Sequence, residues 1–337
     1  MVTFIIRRLI ASTLMLVVVS MVTFAIFFLV PRIAGATPET LATRYVGRTA
    51  TEATVKGIAE KLGFNDPVVV QYGRFLKGVV AGEDYTNGPV VEHCAPPCFG
   101  YSFLTRRPVW PELLERLPVT LSLAAGASVI WLIAGVAVGV LSALRRGSVF
   151  DRSAMGVALA GVSLPIFWTG LMSLVIFSYG LGWTAPGGSY TPFTENPAQW
   201  AYYLLLPWIT LSLLFAAGYA RLTRAGMLET MNEDYIRTAR AKGVRERVVV
   251  VKHGLRGALT PILTIFGLDV GLLLGGAVLT ETAFSLPGLG KYAIEAITNN
   301  DLPKVMGVTI FAAFFVVMAN LIVDVLYAVV DPRVRLG

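Results

Sequence analysis

Charge is what this sequence lacks most for its size: only 15% of its 337 residues are Asp, Glu, Lys or Arg, while histidine occurs twice (His93, His253) and cysteine twice (Cys94, Cys98). Each shortage excludes something. Two cysteines cannot build a disulfide framework and allow one local bridge at most. Two histidines, with no paired carboxylates in a metal-binding helix pattern, leave a hydrolytic or metal centre without material. A complete phosphate loop is also missing. In Leu286-Pro287-Gly288-Leu289-Gly290-Lys291-Tyr292, Ser285 stands where the first glycine belongs and Tyr292 where Ser or Thr is required. The net charge of +7 does not point to nucleic acid, because the basic residues sit beside long apolar runs and not on a polar domain with exposed aromatics.

What is abundant is apolar surface: 55% of the residues are hydrophobic and the mean hydropathy is +0.68, the composition of a membrane protein. A helix needs about 20 apolar residues to span the hydrocarbon, and no backbone group can go unpaired there. Six such runs occur, near Leu9 to Val30, Pro118 to Leu144, Ala154 to Leu181, Tyr203 to Thr223, Ala258 to Thr280 and Val305 to Val330. The expected fold is all-α and polytopic, with six transmembrane helices. Arg7 and Arg8 precede the first run and Ala34-Gly35-Ala36 imitates a cleavage site, but a signal's apolar region is about 7 to 15 residues. The run reads as an uncleaved anchor ending at Pro31.

Orientation follows from positive charge in short loops. Arg145, Arg146 and Arg152 lie between spans two and three, and a dense basic series from Arg221 to Arg256 lies between four and five. These loops, and both termini, are expected to be cytoplasmic. The chain then divides into an anchor (1–30), an external segment (31–116), a five-helix membrane core (117–330, with a cytoplasmic loop at 227–257) and a cytoplasmic tail (331–337).

Within the external segment, residues 37 to 80 read as short amphipathic helices: Val55, Ile58, Ala59 and Leu62 share a helical face, and a break follows at Gly63 to Pro67. Cys94-Ala95-Pro96-Pro97-Cys98 lies where thiols oxidise, so a Cys94–Cys98 disulfide is expected. A metal site recruiting Glu92 and His93 would lack the second well-spaced pair such sites use, and two free thiols are the other alternative.

The loop from Met231 to Gly243 carries its own start and stop signals. Asn232 suits an N-cap, Glu233 and Asp234 the positive end, Arg240 and Lys242 the negative end, and Gly243 a terminator. Ile236 and Ala239 would form a small apolar patch fit for a groove on a soluble partner. A basic helix resting on anionic lipid fits the same composition, and physics alone does not separate the two.

The run Tyr235-Ile236-Arg237-Thr238-Ala239-Arg240-Ala241-Lys242-Gly243, followed by Lys252-His253, Leu255-Arg256 and Pro261, resembles the cytoplasmic coupling loop of the dipeptide/oligopeptide/nickel ABC importer permeases. Other stretches resemble that family in the same order: Gly100 to Phe103, Arg116-Leu117-Pro118-Val119-Thr120, Phe284 to Gly290, Asp324 to Tyr327 and Asp331 to Arg335. Of the general importer pattern Glu-Ala-Ala-x3-Gly only Ala239 and Gly243 match, as in the peptide-type branch. The Pro-Gly-Asp-Pro that members often carry after the first span is replaced by Pro31-Arg32-Ile33-Ala34, and the cysteine-bearing insert is an addition.

The resemblance implies a B-type permease subunit of a binding-protein-dependent importer, paired with a second homologous permease. It implies two ABC ATPase subunits or domains docked on the 235–243 helix and an external solute-binding protein. ATP and magnesium would then sit on the ATPase, with no cofactor and no catalysis on this chain. Peptide is the implied solute, with nickel, glutathione or another small ligand left open.

Asp269 in span five and Asp324 in span six are costly facing lipid and must point into the bundle or a wet cavity. They are candidates for the translocation path, with Pro165 as a kink in span three; ordinary helix-packing contacts are the alternative. Glu281, at the outer end of span five, reads as a wet residue. Gly135 with Gly139, and Gly267 with Gly271 and Gly275, recur at four-residue spacing and predict close helix crossings. The competing function is an ion-coupled carrier using Asp269 and Asp324. An intramembrane protease using the same pair lacks the flanking sequence such a dyad needs.

Overall fold

A computed structural model describes residues 2–46, 51–87 and 90–330. The tail motif at 331–335 lies outside them, and the side chain of Asp324 is likewise not described. The chain opens with a rod made of α1 (Val2–Phe24), a π-helical turn (Ala25–Leu29) and α2 (Val30–Ile33). Pro31 therefore does not end the first span. It stands inside the rod just after the π-helical turn, and the rod runs on to Gly35 in the left-handed region (φ 88°).

Three short helices follow, α3 (Pro38–Val46), α4 (Glu52–Lys61) and α5 (Val68–Ala81). They fold over the end of the rod: Phe24 and Phe28 pack with Leu41, Ile58, Ala59 and Phe64, and with Leu302 and Met306 from the sixth span. The Arg32 guanidinium donates to the Phe64 carbonyl, tying rod to subdomain. Residues 83–94, beyond the stretch read as helical, form a hairpin, with β1 (Glu83–Asn87) antiparallel to β2 (Val90–Cys94); a short ladder of β3 (Tyr101–Ser102) and β4 (Arg107–Pro108) follows.

The second span, α6 (Val109–Leu144), starts nine residues before the expected Pro118, which it carries inside its first third. The third span is broken: α7 (Val149–Ser163) meets α8 (Ile166–Ser173) and a π-helical end (Leu174–Gly180) at 99°. Pro165 is thus the start of a new helix and not a kink within one, because its ring cannot continue the α7 ladder. The fourth span is α9 (Pro197–Thr230). After it come α10 (Asp234–Ala241), α11 (Glu246–Val248), a π-helical segment (Val249–Gly254) and α12 (Leu255–Leu274), bent by 53° at Pro261. Then α13 (Val278–Ala283), α14 (Leu289–Thr298) and α15 (Leu302–Val330) end the described residues. Among the described residues, four helices are long and apolar enough to cross a membrane unbroken, and counting each of the two bent pairs as one span gives six.

Glycines set the two tightest crossings. A Cβ on Gly135 or Gly139 of α6 would meet Tyr219 or Thr223 of α9, and one on Gly267 or Gly271 of α12 would land on Val323 or Ala319 of α15. The first pairing rises in step along both helices, so α6 and α9 are parallel; the second runs in opposition, so α12 and α15 are antiparallel. Trp131, fully buried, fills the space between α6, α9 and α12, stacked on Phe215 at 4.5 Å and facing Phe266.

Candidate functional site

The turn from α9 into α10 is held by a small apolar knot at the end of the bundle away from the subdomain: Met227 and Ala143 against Val250 and Ala258. Asn232 does not cap α10. Its amide donates to the Leu228 carbonyl at 2.8 Å, closing α9 instead, and Glu233 stands at the N-cap without a side-chain bond. Thr238 donates to the Asp234 carbonyl within the helix. The stop is where the sequence placed it, with Gly243 at φ 75° and the Gly243 and Val244 amides returning to the Arg240 and Ala239 carbonyls.

Ile236 is 0% exposed: it is the anchor that fastens α10 to its own chain, not part of an outward apolar patch. Asp234, Arg237, Thr238, Ala241 and Lys242 face outward, Ala239 is half-buried, and Tyr235 stands 48% exposed over Gly257. Arg240 reaches across the terminating turn to Glu246 in a two-pronged ion pair (2.7 and 3.2 Å), which holds the guanidinium firmly protonated. Tyr235, Lys252, His253, Arg256 and Gly257 line an open cleft of about 280 Å³ beside the helix. The result is a short rod, rigid on its inner side and polar on its outer side, continuous through α9 with the core. Directly above it, Arg224 of α9 forks onto Asp151 in the first turn of α7 (2.6 and 2.8 Å).

At the subdomain end the structure corrects the reading of Glu281. It is not wet but 0% exposed, and its carboxylate accepts from Thr120 Oγ1 (2.8 Å) and from the amides of Gly290 (2.7 Å), Lys291 (3.1 Å) and Ala277 (3.3 Å). Burial pushes its pKa up, and the four donors pull it back. Gly288 and Gly290 lie so close that a Cβ on either would strike the Glu281 carboxyl or the Val278 backbone. A second polar lock sits nearby: Lys304 contacts Glu112 at 2.7 Å, Tyr292 and Thr105 donate to the same carboxylate, and Ser102 donates to Asp301. The side-chain partners lie far apart in sequence, Thr120 from Glu281 by 161 positions and Tyr292 from Glu112 by 180, while the amide donors to Glu281 lie within ten.

The remaining candidates scatter. Asp269 is half-buried and accepts from Tyr219 Oη at 2.8 Å. Pro165 is exposed on the broken third span. Cys94 and Cys98 are joined in a buried disulfide, Cα to Cα 5.6 Å, beneath the hairpin. His93 turns to Asp84 and Glu92 to Tyr101, so these four side chains do not converge on a metal.

Residues 135–336 match the family described as the binding-protein-dependent transport system inner membrane component, and residues 1–124 match its N-terminal family. The chain is 40% identical to a peptide transport system permease protein of Brucella abortus (strain 2308) over 98% of both chains. It is 37% identical to a dipeptide transport system permease of Alkalihalophilus pseudofirmus, again over 98% of both. With a dipeptide transport system permease of Escherichia coli (strain K12) it shares 39% identity over 82% of this chain and 83% of that one.

Proposed function

Because the chain belongs to the binding-protein-dependent transport system inner membrane components, we propose that it is one of two homologous permease subunits of an ATP-driven importer of short peptides. Two ABC ATPase subunits or domains supply the energy, holding the ATP and magnesium, and an external binding protein delivers the solute. This chain supplies the path and no catalysis. It lies in the bacterial inner membrane with both termini and α10 on the cytoplasmic side and the disulfide-bearing subdomain outside.

The observation that carries this reading is α10. Its buried Ile236 fixes it to the core, and among the described residues its outward Arg237 and Thr238 bond only within the helix itself. Displacement of such a rod moves α9 as a body, which is what a switch between two access states requires.

Replacing Gly243 with Glu, or Ala239 with Arg, is expected to lower ATP-driven uptake about tenfold or more while membrane insertion stays normal, a coupling loss of a few kcal/mol at most. Gly243→Glu acts twice, since φ 75° strains any residue with a Cβ. Uptake in proteoliposomes, with ATPase pull-down, reads the result. Proton-driven uptake by the chain alone would replace this reading with that of an ion-coupled carrier using Asp269 and Asp324. Orientation has its own test: a membrane-impermeant maleimide should label Cys94 and Cys98 from outside after reduction and not before. Labelling only from the cytoplasmic side inverts the topology.

A further inference from the structure

We propose that Asp269 is the point at which the positively charged amino terminus of a peptide in transit is held, an inference that rests on the peptide reading above. Asp269 is the only acidic residue of α12. One of its oxygens is taken by Tyr219 Oη, and no described residue donates to the other or brings a cation to it. Ile265, Leu268 and Leu272 mark the face of α12 that this chain leaves open, and Asp269 sits at the edge of that face. A carboxylate turned to lipid costs about 3 kcal/mol or more, so the open oxygen faces water or a polar group.

The mounting is rigid. Tyr219 is buried, its Cβ is pressed against Gly135, and Trp131 backs it with ring centroids 6.2 Å apart. Such a carboxylate is held in place before its partner arrives, so little ordering is lost on binding. Its depth suits a visitor from the subdomain side: five residues of α12 remain beyond it, a rise of about 8 Å.

The chemistry selects the partner. One free carboxylate oxygen beside a phenol is too few ligands for a divalent metal, and its sign rejects an anion. A primary ammonium needs one charge-assisted acceptor and gains from aromatic faces nearby. Every peptide with a free amino terminus carries that group whatever its side chains, so a single anionic post serves a whole solute class. One post also lets go, which transport requires.

The test uses the complete transporter with its binding protein in proteoliposomes, dialanine as solute, and three variants. Asp269→Asn should cut dialanine uptake about tenfold while ATPase subunits stay bound, and Asp269→Glu should keep a substantial part of it. Tyr219→Phe, which removes the bond but not the charge, should keep most. If Tyr219→Phe is as damaging as Asp269→Asn, or if Asp269→Asn transports normally, Asp269 is a packing residue and the proposal fails. With Asp269→Cys, a water-soluble cationic thiol reagent added outside should react. No reaction overturns the wet site. Wild-type vesicles that hydrolyse ATP in response to binding protein yet take up no dialanine would remove the peptide reading itself, a separate and recognisable failure.

Discussion

Replacing Glu281 with alanine is expected to destabilise the folded chain by about 3 to 5 kcal/mol, the cost of leaving several buried donors without an acceptor. Thr120 Oγ1 and the amides of Ala277, Gly290 and Lys291 all end on this carboxylate, and nothing else among the described residues replaces it. For a chain of this size that corresponds to a fall of roughly 6 °C or more in Tm, measured on purified protein in detergent. Glu281→Gln should lie between, because its amide keeps one acceptor but turns N–H groups toward donors. Gly290→Ala should cost as much as the alanine variant at 281, since its Cβ would press into the Val278 backbone. An unchanged Tm for Glu281→Ala would mean that water already satisfies those donors.

The same lock explains what the sequence could and could not show. Arg116 to Thr120 and Phe284 to Gly290 each stand out as motifs, yet as text they are unrelated. In the fold they are two halves of one object: Thr120 accepts the Leu289 amide (2.9 Å) and donates to Glu281, while the glycines let the second segment close around the carboxylate. Spans, crossings and the stop of α10 were legible because period, glycine spacing and left-handed glycine are local signals. Partners more than a hundred positions apart leave no such signal, so Glu281 looked like a wet helix end.

Ile236 misled for a related reason. Periodicity puts it on one face with Ala239, but it does not say whether that face meets a partner or the chain's own π-helical segment; the structure puts Ile236 inside. The hairpin at 83–94 was hidden because adjacent polar residues, Glu83-Asp84 and Glu92-His93, put charge on both of its faces and leave no apolar alternation to read. Pro165 read correctly as an interruption, but whether a proline bends a span or breaks it depends on the neighbours that take up the freed carbonyls.

Removing Arg224 is expected to lower the unfolding temperature, because it leaves the Asp151 carboxylate, with its side chain 4% exposed in the first turn of α7, without its guanidinium. The fork onto Asp151, helped by the Gly147 amide at 2.9 Å, pins the start of α7 to the stretch of α9 that leads into α10. Arg224→Lys should recover only part of the loss, since an ammonium makes a point contact where the guanidinium makes two parallel bonds. Exchanging the two residues should not rescue. It would move a positive charge into the first turn of α7, where the exposed amides favour a negative one. Thermal unfolding in detergent reads all three variants, and full rescue by the exchange would show that charge pairing alone, without helix polarity, holds the joint. Because α7 packs mainly along α9 and ends at the break before Pro165, loosening this joint should also uncouple it from α10. Arg224→Ala is therefore expected to lose uptake more steeply than its stability loss alone accounts for, with ATP hydrolysis retained.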